Sequence, residues 1–221
     1  QIMDTLHLEL KKFGRVKSNE LLSKHTTFNI GGPARFFVIV DEIEKLVGLL
    51  NYLSAEGVQY FVIGGGSNLL MSDQEFDGVV IKITSKKPAE CICDNQNYNI
   101  CAEAGVVLGS VVSTAAQNGL SGLEWAIGIP GTIGGAVRGN AGAMGKDMSL
   151  SVNKVEIWRD GEVLEIDNKE CGFFYRGSNF KHNNDVVLRV FLRLEKQSKQ
   201  DVASLMQKYL IQRSSRMSPY P

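Results

Sequence analysis

The residues best suited to chemistry in this sequence are glycines that follow apolar runs, together with one arginine set among aromatics. Ile63-Gly64-Gly65-Gly66-Ser67-Asn68 comes directly after an apolar stretch. Consecutive glycines let backbone N–H groups converge and let a ligand approach the main chain closely, as anion-binding nests do. Ser67 and Asn68 add side-chain donors for phosphate oxygens. Leu69 stands where a third glycine would complete G-x-G-x-x-G, and no Lys occupies the Walker position. Neither a nicotinamide Rossmann site nor a P-loop is therefore supported. A tight strand-to-loop turn is the alternative reading of the run. A second run, Gly128-Ile129-Pro130-Gly131-Thr132-Ile133-Gly134-Gly135-Ala136, leads into Gly139-Asn140-Ala141-Gly142-Ala143. Two small-residue loops so spaced suit the pyrophosphate and ring of a long, flat cofactor held between two lobes. Trp125, Ile127 and Ile129 either cover an aromatic ring system or pack in the core.

Other candidates stand alone. Thr27 and Asn29 lie between His25 and the stretch Gly31-Gly32-Pro33-Ala34-Arg35, a further cofactor-side segment. Tyr175-Arg176 follows Cys171-Gly172-Phe173-Phe174. An Arg in such a setting binds phosphate or polarises an oxygen. His7 and His182 sit in polar contexts and read as surface residues. Cys91, Cys93 and Cys101 cluster, with Cys171 far away, and the spacing is not a usual zinc pattern. Reduced thiols with no metal role are expected.

The elements that must position these residues follow from periodicity. Residues 2–22 read as a short amphipathic helix and a linker, and Phe36 to Val40 as a strand. Asp41 to Glu56 reads as a helix with Ile43, Leu46, Val47, Leu50 and Leu53 on one stripe, a capping box of Asp41 with Glu44, and Gly57 as its stop. Strands at Gln59 to Ile63 and Val79 to Ile83 complete a β-α-β lobe over roughly residues 20–85. A second lobe, 86–198, starts after a polar break holding Pro88. It contains strands at 91–93 and 99–103, a helix at 107–117, and a hairpin of 152–158 with 163–166 across Asp160-Gly161. Its last strand is 186–194, with Leu188, Val190, Leu192 and Leu194 on one face and Arg189 and Arg193 on the other. No simple period fits 119–147. Residues 199–221 read as a helix over 200–211, with Val202, Leu205, Met206, Tyr209 and Leu210 inward, then an extended connector from Arg213 to Pro221.

Composition excludes several classes. The chain has 221 residues, 43% hydrophobic and 22% charged, as ordinary globular proteins are. Lys+Arg and Asp+Glu are both 24, which gives no basic surplus for nucleic acid. No apolar run of membrane-spanning length occurs, and the first eleven residues lack a signal-peptide core. A cytoplasmic, monomeric protein is expected. The charge is uneven, because residues 172–221 hold nine basic and three acidic residues. That excess either aids solubility or attracts a phosphate-bearing ligand.

Seven segments in order resemble the UDP-N-acetylenolpyruvoylglucosamine reductases. They are Asn29-Ile30-Gly31-Gly32-Pro33-Ala34, Gly64 to Leu70, Phe76-Asp77-Gly78-Val79-Val80, Gly122-Leu123-Glu124-Trp125, Gly128 to Ala136, Gly139 to Ala143, and Tyr175-Arg176. The resemblance runs from about Leu22 to Pro221 and implies an α+β fold, the two-lobed FAD-binding fold of the vanillyl-alcohol-oxidase type. It pairs a small β-α-β lobe with a larger mixed or antiparallel sheet lobe carrying helices. It implies FAD held by Thr27, Asn29, Gly64, Gly65, Gly66, Ser67, Asn68, Gly128, Ile129, Pro130, Gly131, Thr132, Gly134, Gly135, Asn140, Gly142 and Ala143. NADPH and a UDP-sugar enolpyruvyl ether would be the partners in peptidoglycan synthesis. Arg176 would stabilise the negative charge that develops on the substrate, with Tyr175 beside it. The family's protonating Ser lies in a P-S-A-G-S-like motif, and the lead-in to that motif resembles Arg213 to Pro221. The resemblance thus implies that the substrate-binding domain is not in this chain, and that the chain binds FAD without reducing substrate. An oxidase of the same fold, or a non-catalytic flavin-binding module, is the alternative. No His or Cys stands in the glycine loops to anchor a flavin covalently.

Overall fold

In the computed structural model, which describes residues 2–94 and 97–216, two sheets share a helix between them. Helix α1 (Ile2–Leu10) leads into strand β1 (Arg15–Leu21), which replaces the linker expected there. Only Glu20 of β1 is buried, so the strand lacks the alternation that would reveal it. Strand β2 (Pro33–Val40) pairs antiparallel with β1 and has apolar residues on both faces. Phe36, Val38 and Val40 face α2 (Ile43–Ala55), while Ala34 and Phe37 face the opposite side. Strands β3 (Tyr60–Ile63) and β4 (Phe76–Ile83) run parallel to β2, in the order β1-β2-β4-β3, so β3 is an edge.

The stop of α2 sets the position of β3. Gly57 takes φ +63°, its N–H donates to Ser54 O, and Val58 N–H donates to Leu53 O at 2.9 Å. These two bonds form a Schellman motif. The expected capping box is absent. Glu42 is the N-cap without a side-chain bond, and Asp41 pairs with Lys86 instead. That ion pair holds the Asp41 carboxyl below its ordinary value.

The second sheet is antiparallel. It contains β5 (Glu90–Asp94), β6 (Asn97–Glu103), β7 (Leu120–Ser121), β10 (Val152–Arg159), β11 (Glu162–Asp167) and β12 (Val186–Lys196), with path order β11-β10-β12-β6-β5 and β7 beside the end of β12. The β10–β11 hairpin turns at Asp160 (φ 48°) and Gly161 (φ 94°), as the Asp-Gly pair implies. Helices α3 (Leu108–Gln117) and α4 (Ile133–Arg138) cover one face. The small pair β8 (Gly142–Ala143) and β9 (Lys146–Asp147) sits beyond α4, and α5 (Lys199–Arg216) closes the lobe.

Three further expectations need correction. A register shift opposite Glu156/Ile157 splits the expected face of β12. Val190, Leu192 and Leu194 enter the second core, but Val186 and Leu188 turn with Trp158 toward α2. The bulge makes this strand serve two cores, since one extra residue reverses the side-chain phase. Trp158 Nε1–H also donates to Asn51 Oδ1 at 2.7 Å, tying β10 to α2. Leu210 is 49% exposed, while Met206 and Tyr209 pack on the core. Arg213 lies within α5, which runs to Arg216, because nothing in that stretch breaks a helix before the prolines. The Ser218-Pro219-Tyr220-Pro221 part of the expected connector lies outside the described residues.

Candidate functional site

The two glycine runs meet where the sheets face each other. A Cβ built on Gly65 would come within 2.9 Å of Gly131 Cα, and one on Gly64 would strike Thr132 Oγ1. Gly66 takes φ +69°, and a Cβ there would strike the His25 carbonyl oxygen. Only glycine satisfies both conditions, because other L-residues strain at that φ. Thr27 N–H donates to Gly66 O at 3.1 Å, which brings the 25–27 segment against the loop. The second run is stitched to the link between β6 and α3. Leu108 N–H donates to Gly131 O, Ile133 N–H to Val106 O, and Gly134 N–H to Ala104 O, all within 3.0 Å. Thr132 caps α4 by accepting from Gly135 N–H at 3.3 Å. The loops are thus rigid backbone surfaces with no large side chain between them.

Two hollows open from this seam. A cleft of about 320 Å³ lies between the lobes, lined by the free edge of β3, by Gly64, Thr132 and Gly135, and by Arg138. An outer hollow of about 380 Å³ is lined by Ile129, Gly142, Ala143, Met144, Arg176 and Arg213. Arg176 sits at φ 61° at the tip of a tight turn in which Phe174 and Gly177 exchange two backbone bonds. One guanidinium nitrogen donates to Gly142 O at 2.9 Å, and Lys181 Nζ donates to Arg176 O at 2.6 Å. Tyr175 is 87% exposed, and its ring centroid lies 5.8 Å from the Arg176 guanidinium carbon.

The site residues anticipated from sequence fall into three groups. Gly64, Gly65, Gly66, Ser67, Gly131 and Thr132 converge, with Thr27 joined to Gly66 and Gly135 on the cleft. Ile129, Gly142, Ala143 and Arg176 converge on the outer hollow, with Gly128 close to the Arg213 side chain. The rest stand apart or act as supports. Asn29 is an exposed turn residue at φ 54°, and Asn68 and Pro130 are exposed. Gly134 packs directly on Ala104. Asn140 is 2% exposed and is a clamp: its amide donates to Phe174 O at 2.9 Å and accepts from Ser149 N–H at 3.1 Å. It reaches the hollow only through the Arg176 turn it holds. Trp125 is 1% exposed, with Nε1–H donating to Gly122 O, so of its two readings core packing is the one observed.

Sequence reasoning missed Arg138 and Arg213 as site residues. Arg213 falls in the stretch that the prolines mark as a connector, and Arg138 has no signature apart from the glycines before it. The ionisable groups behind the loop are organised too. The His25 ring stacks on Phe37 at 4.1 Å, and its Nε2 lies 2.9 Å from Glu20 Oε1. Burial pushes His25 below its ordinary value, and the bond from Lys17 holds Glu20 below its own. Elsewhere, burial pushes the Cys171 thiol up to about 12, which makes it a poor nucleophile at neutral pH. Cys91, Cys101 and Cys171 form no disulfide, and no group of three metal-ligating side chains occurs among the described residues. No helix among them is long and apolar enough to cross a membrane.

Comparisons with known proteins bear on this seam. Residues 34–167 match a family model described as an FAD binding domain. The UDP-N-acetylenolpyruvoylglucosamine reductase of Caldanaerobacter subterraneus subsp. tengcongensis is 36% identical over 216 residues, covering 96% of this chain and 70% of that protein. The reductase of the same name from Carboxydothermus hydrogenoformans is 37% identical over 224 residues, covering 99% of this chain and 72% of that protein. The crystal structure of the Thermus caldophilus reductase superimposes with a TM-score of 0.76 at 33% identity, covering 92% of this chain and 71% of that one. An alkyldihydroxyacetonephosphate synthase, at 17% identity and TM-score 0.61, shares the fold alone.

Proposed function

The chain belongs to the UDP-N-acetylenolpyruvoylglucosamine reductase family, a family of flavoprotein reductases, and from that premise we propose that its seam holds FAD. The observation that carries this reading is the contact of the two glycine runs, Gly65 against Gly131, with Thr132 over Gly64. The two runs together present main chain with no bulky side chain over it, so a pyrophosphate lying on the seam could approach the N–H groups closely. The residues fit the group. Gly64 to Ser67 with Gly131, Thr132 and Gly135 would hold the pyrophosphate, and Ile129, Gly142 and Ala143 would face the ring system. When bound, FAD supplies hydride chemistry that no side chain of this site can carry.

The chain's own part is electrostatic and positional. Arg176 is fixed at both ends, by Gly142 O at its guanidinium and by Lys181 at its carbonyl. A guanidinium so held stabilises negative charge as it develops on an enolpyruvyl ether, without reorganising at the moment of reaction. Exposed Tyr175 beside it would contact substrate. The substrate of this reading is UDP-N-acetylglucosamine enolpyruvate, the reductant NADPH and the product UDP-N-acetylmuramate, for cell-wall peptidoglycan. The setting is the cytoplasm and the protein a monomer. The two lobes, 20–85 and 86–198, would grip the cofactor from opposite sides, with α5 packed on the second. The reading assigns proton delivery to none of residues 2–216.

Reconstitution tests it. The purified chain incubated with FAD should emerge from desalting yellow, with a flavin absorbance band. Consumption of NADPH, with and without the enolpyruvyl ether, then separates a reductase from a flavin-binding module. A chain that stays colourless at high FAD concentration overturns the proposal.

A further inference from the structure

A third hollow lies at the starts of β2 and β4, the end of the first sheet away from the one where β3 runs into Gly64. It measures about 830 Å³ and shares no lining residue with the inter-lobe cleft or the outer hollow. The strands that form it are irregular at one level. Arg35 alone in β2 has a register partner in neither neighbouring strand. On the β4 side Asp77 and Gly78 together stand opposite it, which is a bulge. On the β1 side Asn19 stands opposite it at φ 51°. Consecutive residues of a regular strand face opposite ways, yet Ser18 with Asn19 and Arg35 with Phe36 line this one hollow. Bulges re-aim side chains, and left-handed backbone away from glycine persists where its surroundings impose it.

The side chains gathered there carry both signs of charge. Arg35 Nη1–H donates to Asp77 Oδ1 at 2.9 Å, its one side-chain hydrogen bond among the described residues. That bond uses one of five guanidinium donors. The guanidinium carbon lies 5.5 Å from the centroid of the Phe36 ring. The Asp77 side chain is 78% exposed, and Glu75 on the same hollow makes no ion pair among the described residues. His7 reaches over from α1, its Nδ1 3.4 Å from Ser18 Oγ. Besides His7, the hollow thus holds one guanidinium and two carboxylates, an excess of one negative charge. Two carboxylates repel a phosphate, and a simple cation leaves the guanidinium unmatched. No group of three His, Cys, Asp or Glu side chains converges for a metal ion among the described residues. The complement is a small molecule with one carboxylate for Arg35 and two ammonium groups, one beside Asp77 and one for Glu75. We propose that this hollow binds a free α-amino acid with a second ammonium group on its side chain, such as lysine. The inference goes beyond the flavin reading of the seam and does not depend on it.

Isothermal titration calorimetry of the purified chain at low ionic strength tests it, with L-lysine, L-alanine and 1,5-diaminopentane as probes. Alanine lacks the second ammonium and diaminopentane lacks the carboxylate, so lysine should bind at least about tenfold more tightly than either. Glu75→Gln should lower lysine affinity by about tenfold and leave alanine within about twofold, and Arg35→Gln should bring lysine down to the diaminopentane value. Adding FAD should leave lysine affinity unchanged. Equal binding of lysine and diaminopentane overturns the proposal, because any amine would then be drawn to the acids. Equal binding of lysine and alanine overturns it too, as does competition between lysine and FAD, or no binding at high millimolar lysine. If Arg35→Gln melts early, exposed Glu75 decides, and unchanged lysine affinity in Glu75→Gln overturns the site.

Discussion

The inter-lobe cleft and the outer hollow meet at one loop but are made of different material. The cleft is lined largely by regular elements and glycine backbone: the edge of β3 with Gly64, and α4 with Gly134 and Gly135, joined by Arg138 and the 183–185 loop. The outer hollow is lined by side chains from loops and helix ends, and three supporting residues, Asn140, Met144 and Arg176, take positive φ. Backbone surfaces tolerate little change of shape, because any added atom meets another main chain. Loop side chains are held by a few hydrogen bonds and can be altered one at a time. On the proposed reading the first region holds the cofactor and the second meets the substrate, so substitutions in the two should fail in different ways.

The largest expected effect is in the glycine loop that runs from the cleft. Gly66→Ala places a Cβ at φ +69° against the His25 carbonyl oxygen. The loop must move, and FAD uptake should be lost in a desalting assay while far-ultraviolet circular dichroism stays that of a folded protein. Full flavin retention by Gly66→Ala would remove the distinction between the two regions. In the outer hollow, Arg176→Gln should leave FAD affinity within about twofold. It should weaken binding of the enolpyruvyl ether to the flavin-loaded chain by about tenfold or more, the scale for one lost charge-assisted hydrogen bond. Titration followed by the shift of the flavin absorbance band measures this, and parallel losses of flavin affinity and ether affinity would merge the two regions.

Asn140→Ala should act on the outer hollow through stability. It removes a buried amide that joins Phe174 O to Ser149 N–H and leaves both of those groups without that partner. The expected cost is about 1–3 kcal/mol in urea unfolding, two lost hydrogen bonds at about 0.5–1.5 kcal/mol each, since Phe174 O keeps Gly177 N–H and Ser149 N–H keeps Asp147 Oδ1. The loop carrying Arg176 should lose protection in hydrogen exchange while the β3 edge keeps its own. Uniform loss of protection would show that the clamp serves the whole lobe.

How far these features could be read from sequence follows the same division. The glycine runs were legible because backbone contact and positive φ demand glycine and little else. The hairpin at Asp160-Gly161 and the Gly57 stop were legible for the same reason. Strand β1 was not, because it is an edge with one buried residue and no alternation. Helix α4 was hidden by two glycines in six residues; Gly134 is there because Ala104 presses on it, a contact distant in sequence. Asn140 resembled a cofactor contact because it stands in a glycine-rich run, yet its work is to clamp a turn more than thirty residues away. Local chemistry was readable, whereas the partner of each side chain depended on tertiary contacts that pattern does not carry.

The smallest effect tests the cleft from behind. Lys82 Nζ lies 3.5 Å from His25 Nδ1, so the ammonium donates and the ring accepts there. The ring proton then sits on Nε2 and donates to Glu20 Oε1. Protonating His25 adds an N–H facing the Lys82 ammonium, with Lys17 and Lys24 also near Glu20. Burial and Lys82 lower its value in the folded state, while Glu20 opposes them. The unfolded chain therefore binds the proton first as pH falls below 6.5, and stability decreases with acidification until the folded ring also titrates. Glu20 is lowered from 4.5, so its contribution is present above that pH and is lost only as pH falls through its folded value. Between these windows the slope belongs to His25 rather than Glu20. Urea unfolding at pH 7.5, 6.0 and 5.0 should show wild type losing stability, and His25→Gln losing less. FAD release should follow the same slope, since the His25 carbonyl backs Gly66. Identical slopes in the two proteins would show that the stacked imidazole does not couple pH to the cleft.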